Sequence, residues 1–192
     1  GRASARDAKG VAALRTVDTA MGLWTSNKSY IPDPAGRQVT DTTAFPVTIN
    51  PLGDPNAIAV PCNTTHPIAG LPALTPCLAM KSNSPTFIGA PGTGFATENL
   101  ISTTVKDPTD PTCFILYVTD GFDYETMAVL ENDSVRMQND GGDELGAYER
   151  GSNLKLAGTW VDLGITPCVG GGGGPPPPPP PTCDLSATLK NY

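Results

Sequence analysis

The sequence predicts an α+β domain in which one long N-terminal helix packs on a small antiparallel β-sheet. Two local patterns and one compositional feature predict it. Residues 6–25 carry apolar side chains at helical spacing, and two β-rich runs flank Asp120-Gly121 far downstream. Between them the chain is rich in the residues that end regular structure: 21 prolines and 21 glycines, about a fifth of 192 residues, well above average usage. A helix followed by segregated strands is the α+β pattern.

The helix is expected over residues 4–27, weakly capped by Ser4. At about 100° per residue, Leu14, Val17, Met21 and Trp24 share one arc, flanked by Gly10 and Ala13. Asp7, Lys9, Arg15, Thr16, Asp18 and Thr19 project elsewhere, so the stripe can bury one face against a sheet. Arg6 breaks the stripe, and Val11 and Leu23 project outside it amid alanines. The pattern ends at Asn27-Lys28-Ser29-Tyr30-Ile31-Pro32. Its beginning is abrupt, as though a preceding part of the helix were missing, and the expectation is an ectodomain cut from a longer chain. No run of about 18 apolar residues occurs in the sequence.

Residues 32–112 read as a loop-rich region with short strands at Phe45–Ile49, Ala57–Val60 and Phe87-Ile88. Loops of this length are usually functional surfaces or disordered. A hairpin is expected over residues 113–131: Cys113–Thr119, a turn at Asp120-Gly121-Phe122-Asp123, then Tyr124–Glu131. Tyr124, Thr126, Ala128 and Leu130 share one face and Glu125, Met127, Val129 and Glu131 the other. Neither face is wholly polar, which suits a sheet covered on both sides. Residues 132–153 form an acidic loop, after which Leu154–Leu156 and Thr159–Leu163 are candidate strands. The ectodomain is therefore expected over residues 1–169. Residues 170–181 are a linker of five glycines and seven prolines, the prolines a stiff rod of roughly 22 Å. In the tail, residues 182–192, Leu185, Ala187 and Leu189 alternate with polar residues as a strand would, and the tip can add to a sheet edge.

Five cysteines, no Cys-x-x-Cys and one histidine leave little for a zinc site and suit disulfides in an oxidising compartment. Cys62 and Cys77 bracket a proline-rich loop and are the expected local pair. Cys113 is expected to pair with Cys168 or Cys183, and the odd count leaves one thiol over.

The formal net charge of −7 argues against nucleic acid as a partner, because phosphate binding needs a basic surface. No enzyme activity is expected. The lone His66 sits in Thr64-Thr65-His66-Pro67 with no nucleophile motif in the sequence, and Ala90–Phe95 is glycine-rich but lacks the Lys-Ser/Thr of a phosphate loop. Three matches to the N-glycosylation pattern, at Asn27, Asn63 and Asn132, are short enough to arise by chance. The one constellation with chemical promise is acidic: Asp140, Asp143 and Glu144 around paired glycines, with Asp133 nearby. Calcium takes six to eight oxygens on flexible loops, so these four are a candidate calcium set, the alternative being a solvated acidic turn.

Two segments resemble one known family. Ala5-Arg6-Asp7-Ala8-Lys9, the run Val11–Met21, and then Tyr30 and Pro32 look like type IV pilins and type II secretion pseudopilins, in which this is the second half of a long N-terminal helix. Gly10 stands where a basic residue is common and Leu23-Trp24 where an aromatic pair is usual. The hairpin resembles the central strands of the same family at Tyr117, Asp120-Gly121, Asp123-Tyr124, Ala128 and Leu130-Glu131-Asn132. The family's apolar half-helix, with its processed N-terminus and nearby glutamate, is absent from this sequence. The resemblance implies an extracellular or periplasmic structural subunit of a pilus or pseudopilus filament, membrane-anchored before assembly, homo-oligomeric through its N-terminal helix and handled by an assembly machinery. Some pseudopilins hold calcium in a loop placed like residues 132–153. A second expectation is a minor pilin or adhesin whose Pro/Thr-rich loop, residues 33–112, contacts a target.

Overall fold

The computed structural model describes residues 1–28, 31–34, 56–68, 70–88, 95, 100, 105, 107 and 113–168. The expected strand at 45–49, most of the loop-rich region, the linker at 170–181, the tail at 182–192 and Cys183 lie outside the described residues.

Helix α1 spans Arg2–Lys28. The strands are β1 (Ile58–Val60), β2 (Cys77–Lys81), β3 (Leu116–Thr119), β4 (Tyr124–Ala128) and β5 (Tyr148–Gly151). Two short helices, α2 (Ser134–Gln138) and α3 (Trp160–Leu163), follow β4 and β5 respectively. The fold is α+β. The strands form one antiparallel sheet in the order β1-β2-β3-β4-β5, each strand paired with its sequence neighbours.

Helix α1 lies against one face of this sheet, touching β4 and β5. Leu14, Val17, Met21 and Trp24 are buried as the stripe predicts, together with Asp7, Gly10, Val11 and Ala20. Two helix projections are corrected. Val11, placed outside the stripe, is buried, and Asp7, placed among the polar residues, is only 6 % exposed. Asp7 lies one heptad before Leu14 and two before Met21, so it begins the same stripe. Leu23 is exposed.

The hairpin forms with Leu116 opposite Met127 and Thr119 opposite Tyr124. Its turn is built by side chains: Asp120 Oδ1 accepts from the Phe122 and Asp123 amides at 2.8 and 2.6 Å, while Gly121 takes φ 90°, a conformation glycine reaches without strain. The face alternation holds on both sides. Ile115, Tyr117, Tyr124, Ala128 and Leu130 join the core beneath α1. Phe114, Leu116, Val118 and Met127 enter a second core on the opposite face, closed by Leu156, Ala157, Trp160, Leu163 and Ile165. The sheet is thus covered by α1 on one side and by the segment 154–165 on the other.

Three strand expectations are corrected. Thr159–Leu163 is not a strand: Thr159 caps α3 in a capping box with Asp162, and Gly164 ends it in the left-handed conformation. Leu154–Leu156 is a turn closed by Leu156 N–H on the Asn153 carbonyl. Phe87-Ile88 is also a turn; both side chains are buried beneath α1. Two strands arise where none was expected, β2 and β5. In β5, Gly151 faces Glu125 so closely that a Cβ there would stand 2.2 Å from the Tyr124 carbonyl oxygen. Because the obstacle is backbone, Gly151→Ala is expected to cost about 2 kcal/mol or more, measured by urea denaturation. An unchanged midpoint would show that β5 can move away from β4.

Cys62 pairs with Cys77, as expected, pinning the chain two residues past the end of β1 to the start of β2. Cys113 pairs with Cys168, which resolves the choice left open by the spacing. Two disulfides suit an oxidising compartment. Among the described residues no helix is long and apolar enough to cross a membrane.

Candidate functional site

Two polar constellations stand out, one on each face of the sheet. The first anchors α1. Asp7 accepts from the Glu131 and Asn132 amides at 2.7 and 2.9 Å, so a buried carboxylate satisfies two backbone donors where the chain leaves β4. Beside it, Arg6 grips the Glu131 carboxylate in bidentate fashion, Nε to Oε2 at 2.7 Å and Nη2 to Oε1 at 3.0 Å. The residue that broke the apolar stripe is therefore a fastening. Three turns along the helix, Asp18 accepts from the Tyr124 hydroxyl and from Arg150, joining α1 to β4 and β5. Burial, and then the bond to Asp18, hold the Tyr124 phenol well above its ordinary range, so it stays a donor. Past the helix, Ile31 N–H bonds the Gly121 carbonyl at 3.3 Å and the buried Tyr117 hydroxyl donates to the Pro32 carbonyl at 2.8 Å.

The second constellation lies on the outer face. Met127 pairs with Glu149 and Glu125 pairs with Gly151, so Glu125 and Glu149 are diagonal neighbours on the Met127 side of the sheet. Both are fully buried. Glu125 Oε2 accepts from the Ala157 amide at 2.8 Å and Glu149 Oε2 from the Glu144 amide at 3.3 Å. Each Oε1 is buried with no donor from the protein. Asp143, exposed at the rim, completes the group: carboxylate oxygens of all three residues lie within 4.8 Å of one another. Gly142 makes this approach possible, since a Cβ there would sit 1.7 Å from Glu149 Oε2.

The electrostatics follow from burial and like charge. Burial pushes the Glu149 carboxyl up to about 10, with the adjacent Glu125 and then Asp140 adding to the rise. Burial also raises Glu125, and contact with Glu149 and the Ala157 amide partly offsets this. When one of the two is protonated they can share that proton; when both are ionised, only a cation can reconcile them.

The four acidic residues singled out from the sequence do separate jobs. Asp133 caps α2, accepting from the Arg136 amide at 3.1 Å and pairing with its guanidinium at 3.0 Å. Both Asp140 oxygens take backbone amides, from Gly142 at 2.9 Å and Glu149 at 2.7 Å, and burial raises its carboxyl. Both Glu144 oxygens are likewise engaged, by the Gly146 and Trp160 amides at 2.8 and 2.9 Å. Only Asp143 joins the three-carboxylate group, whose other members come from the strands. Their signal in the sequence was a charged residue on a strand face shared with Met127.

His66 stacks on the exposed Phe122 at 4.4 Å between ring centroids, and the neighbouring Thr64 hydroxyl donates to Asp120. Its ring Nδ1 lies 3.2 Å from the Thr65 hydroxyl, and its contacts are those of a residue in the Cys62–Cys77 loop resting on the hairpin turn.

No protein-family model, no curated protein and no solved structure matches this chain.

Proposed function

We propose that this chain is a structural subunit of an extracellular filament of the type IV pilin or pseudopilin kind, assembling through its N-terminal helix. One observation carries the reading: the two segments that resemble the family are bonded to each other. Arg6 and Asp7, from the helix signature, hold Glu131 and Asn132, from the hairpin signature, through four hydrogen bonds. Segments separated by more than a hundred residues thus form one junction, which a chance match at either place would not require. The helix is held along its length by the sheet, so a force or a partner acting on its start is coupled to the whole domain. The disulfides suit the extracellular or periplasmic setting such a subunit needs.

The experiment is expression of the precursor that contains this chain in a host with a pilus assembly system. Filaments sheared from cells and made of this subunit alone are the expected result by electron microscopy and denaturing gels. Recovery only as single copies that bind a surface or soluble ligand would favour the adhesin reading instead. For that reading the specific feature is the exposed Phe122, stacked on His66 at the tip of the hairpin. Absence of the chain from both the surface and the sheared fraction would overturn both.

A further inference from the structure

The two buried glutamates of the outer face each hold a different part of its covering. Glu125, on β4, accepts from the Ala157 amide at 2.8 Å and so fixes the start of the segment that closes the outer core. Glu149, on β5, accepts from the Glu144 amide at 3.3 Å and so fixes the loop before β5. A carboxylate oxygen of each lies within 4.8 Å of the other, and each Oε1 is buried with no donor from the protein. The atom missing between them is a donor, and one proton supplies it, because a carboxyl can donate to a carboxylate. No basic group takes its place. The loop before β5 brings Asp140 and Asp143 to the pair, and Glu144 beside them is committed to the Gly146 and Trp160 amides. Strand β3 sets the neutral Val118 opposite Glu125. In the segment 154–165 the charged residues are Lys155 and Asp162, both exposed, the latter tied to Thr159. Arg136 of α2 pairs with Asp133, and Arg150 of β5 reaches Asp18 on the helix.

We propose that one proton shared between Glu125 and Glu149 is the catch that holds the loop 140–147 and the segment 154–165 on the sheet, so that this covering is closed in acidic and neutral surroundings and loosens in alkaline ones. The two amide bonds decide where the proton sits. Glu125 has the shorter one and is the better stabilised as a carboxylate, whereas Glu149 has the longer one and Asp140 beside it. Glu149 therefore keeps the proton and donates it to Glu125. Burial, and then that bond, hold the Glu149 carboxyl up to about 10. The folded chain thus retains a proton that the unfolded chain gives up in the ordinary carboxyl range. Stability is full below that range and falls as pH rises toward the folded value. On ionisation the proton leaves to water past Asp143, which is exposed at the rim. Two like charges then face each other in a dry site, and their separation pulls on the Ala157 and Glu144 amides together. The inference stands apart from the filament reading.

The test is urea denaturation across a pH series, in chelator so that no stray cation replaces the proton. Between about pH 6 and 9 the folded-to-unfolded ratio of the parent chain should fall about tenfold per pH unit, the slope of one proton. Glu149→Gln places an N–H donor where the proton sits. It should flatten the slope and make the variant more stable than the parent at about pH 9. Burial raises Asp140 as well, but that variant leaves Asp140 intact, so the slope lost belongs to the pair. Asp162→Asn, on the exposed cap of α3, should keep the parent's slope. Infrared spectra of the parent at about pH 7 should show a protonated carboxyl that Glu149→Gln lacks. Amide exchange, corrected for its intrinsic pH dependence, should show Ala157 and Glu144 losing protection over the same range. These last two measurements on the parent decide the matter if the variant does not fold. A flat pH profile of the parent, no protonated carboxyl near neutral pH, or an undiminished slope in Glu149→Gln would overturn the proposal.

Discussion

Replacing Cys113 and Cys168 together with serine should lower the stability of this domain by about 4 kcal/mol, the largest loss expected from any covalent change. The bond closes a span of 55 residues that includes the hairpin, α2, β5 and α3. Opening it restores chain entropy to the unfolded state, a gain that grows slowly with loop length. It also frees the end of the segment that covers the outer core, where Leu156, Trp160, Leu163 and Ile165 close over Leu116 and Met127. Urea denaturation of the double variant against the parent chain measures the loss. Hydrogen exchange should locate it, with amides in 154–165 gaining exchange before those of α1. A loss below about 1 kcal/mol would mean that residual structure already confines this segment in the unfolded ensemble.

Asp7→Ala is the side-chain change expected to cost most, about 3 kcal/mol. It removes a buried carboxylate and strands the Glu131 and Asn132 amides, both charge-assisted donors in the intact protein. It also removes the negative charge beside Arg6, leaving Arg6 to Glu131 alone. Asp7→Asn is the informative companion: one oxygen can still accept, so about half of the loss should return. If alanine and asparagine prove equally mild, water replaces the carboxylate and the junction is wetter than its burial indicates.

The helix and the hairpin could be read from sequence because each announces itself locally. An apolar residue every third or fourth position, and Asp-Gly between alternating runs, need no knowledge of the rest of the chain. Strand β2 could not be read that way. Its Cys77-Leu78-Ala79-Met80 run contains no β-branched residue, and it is a strand because β1 and β3 flank it. Strand β5 was hidden by charge: Glu149 and Arg150 look solvated, yet one enters the outer face and the other reaches Asp18. The reverse error befell Thr159–Leu163, where Trp and Val suggested a strand and a capping box made a helical turn. For the acidic residues, sequence proximity was misleading. Asp140 and Glu144 serve neighbouring amides, whereas Asp143 meets glutamates from two strands through a register that only the folded sheet defines.

The fastening of α1 has a mechanical meaning. From Asp7 through Asp18 to Trp24 the helix is attached over 17 residues, roughly 25 Å of its axis. A pull along that axis would load these attachments side by side, so rupture requires several to fail together. A pull across the axis, beginning at Gly1, would meet the Arg6–Glu131 and Asp7 bonds first and open the domain one fastening at a time. Strength in this domain is therefore directional, high in shear and lower in peel, and the residues at the Arg6-Asp7 end decide where peeling starts.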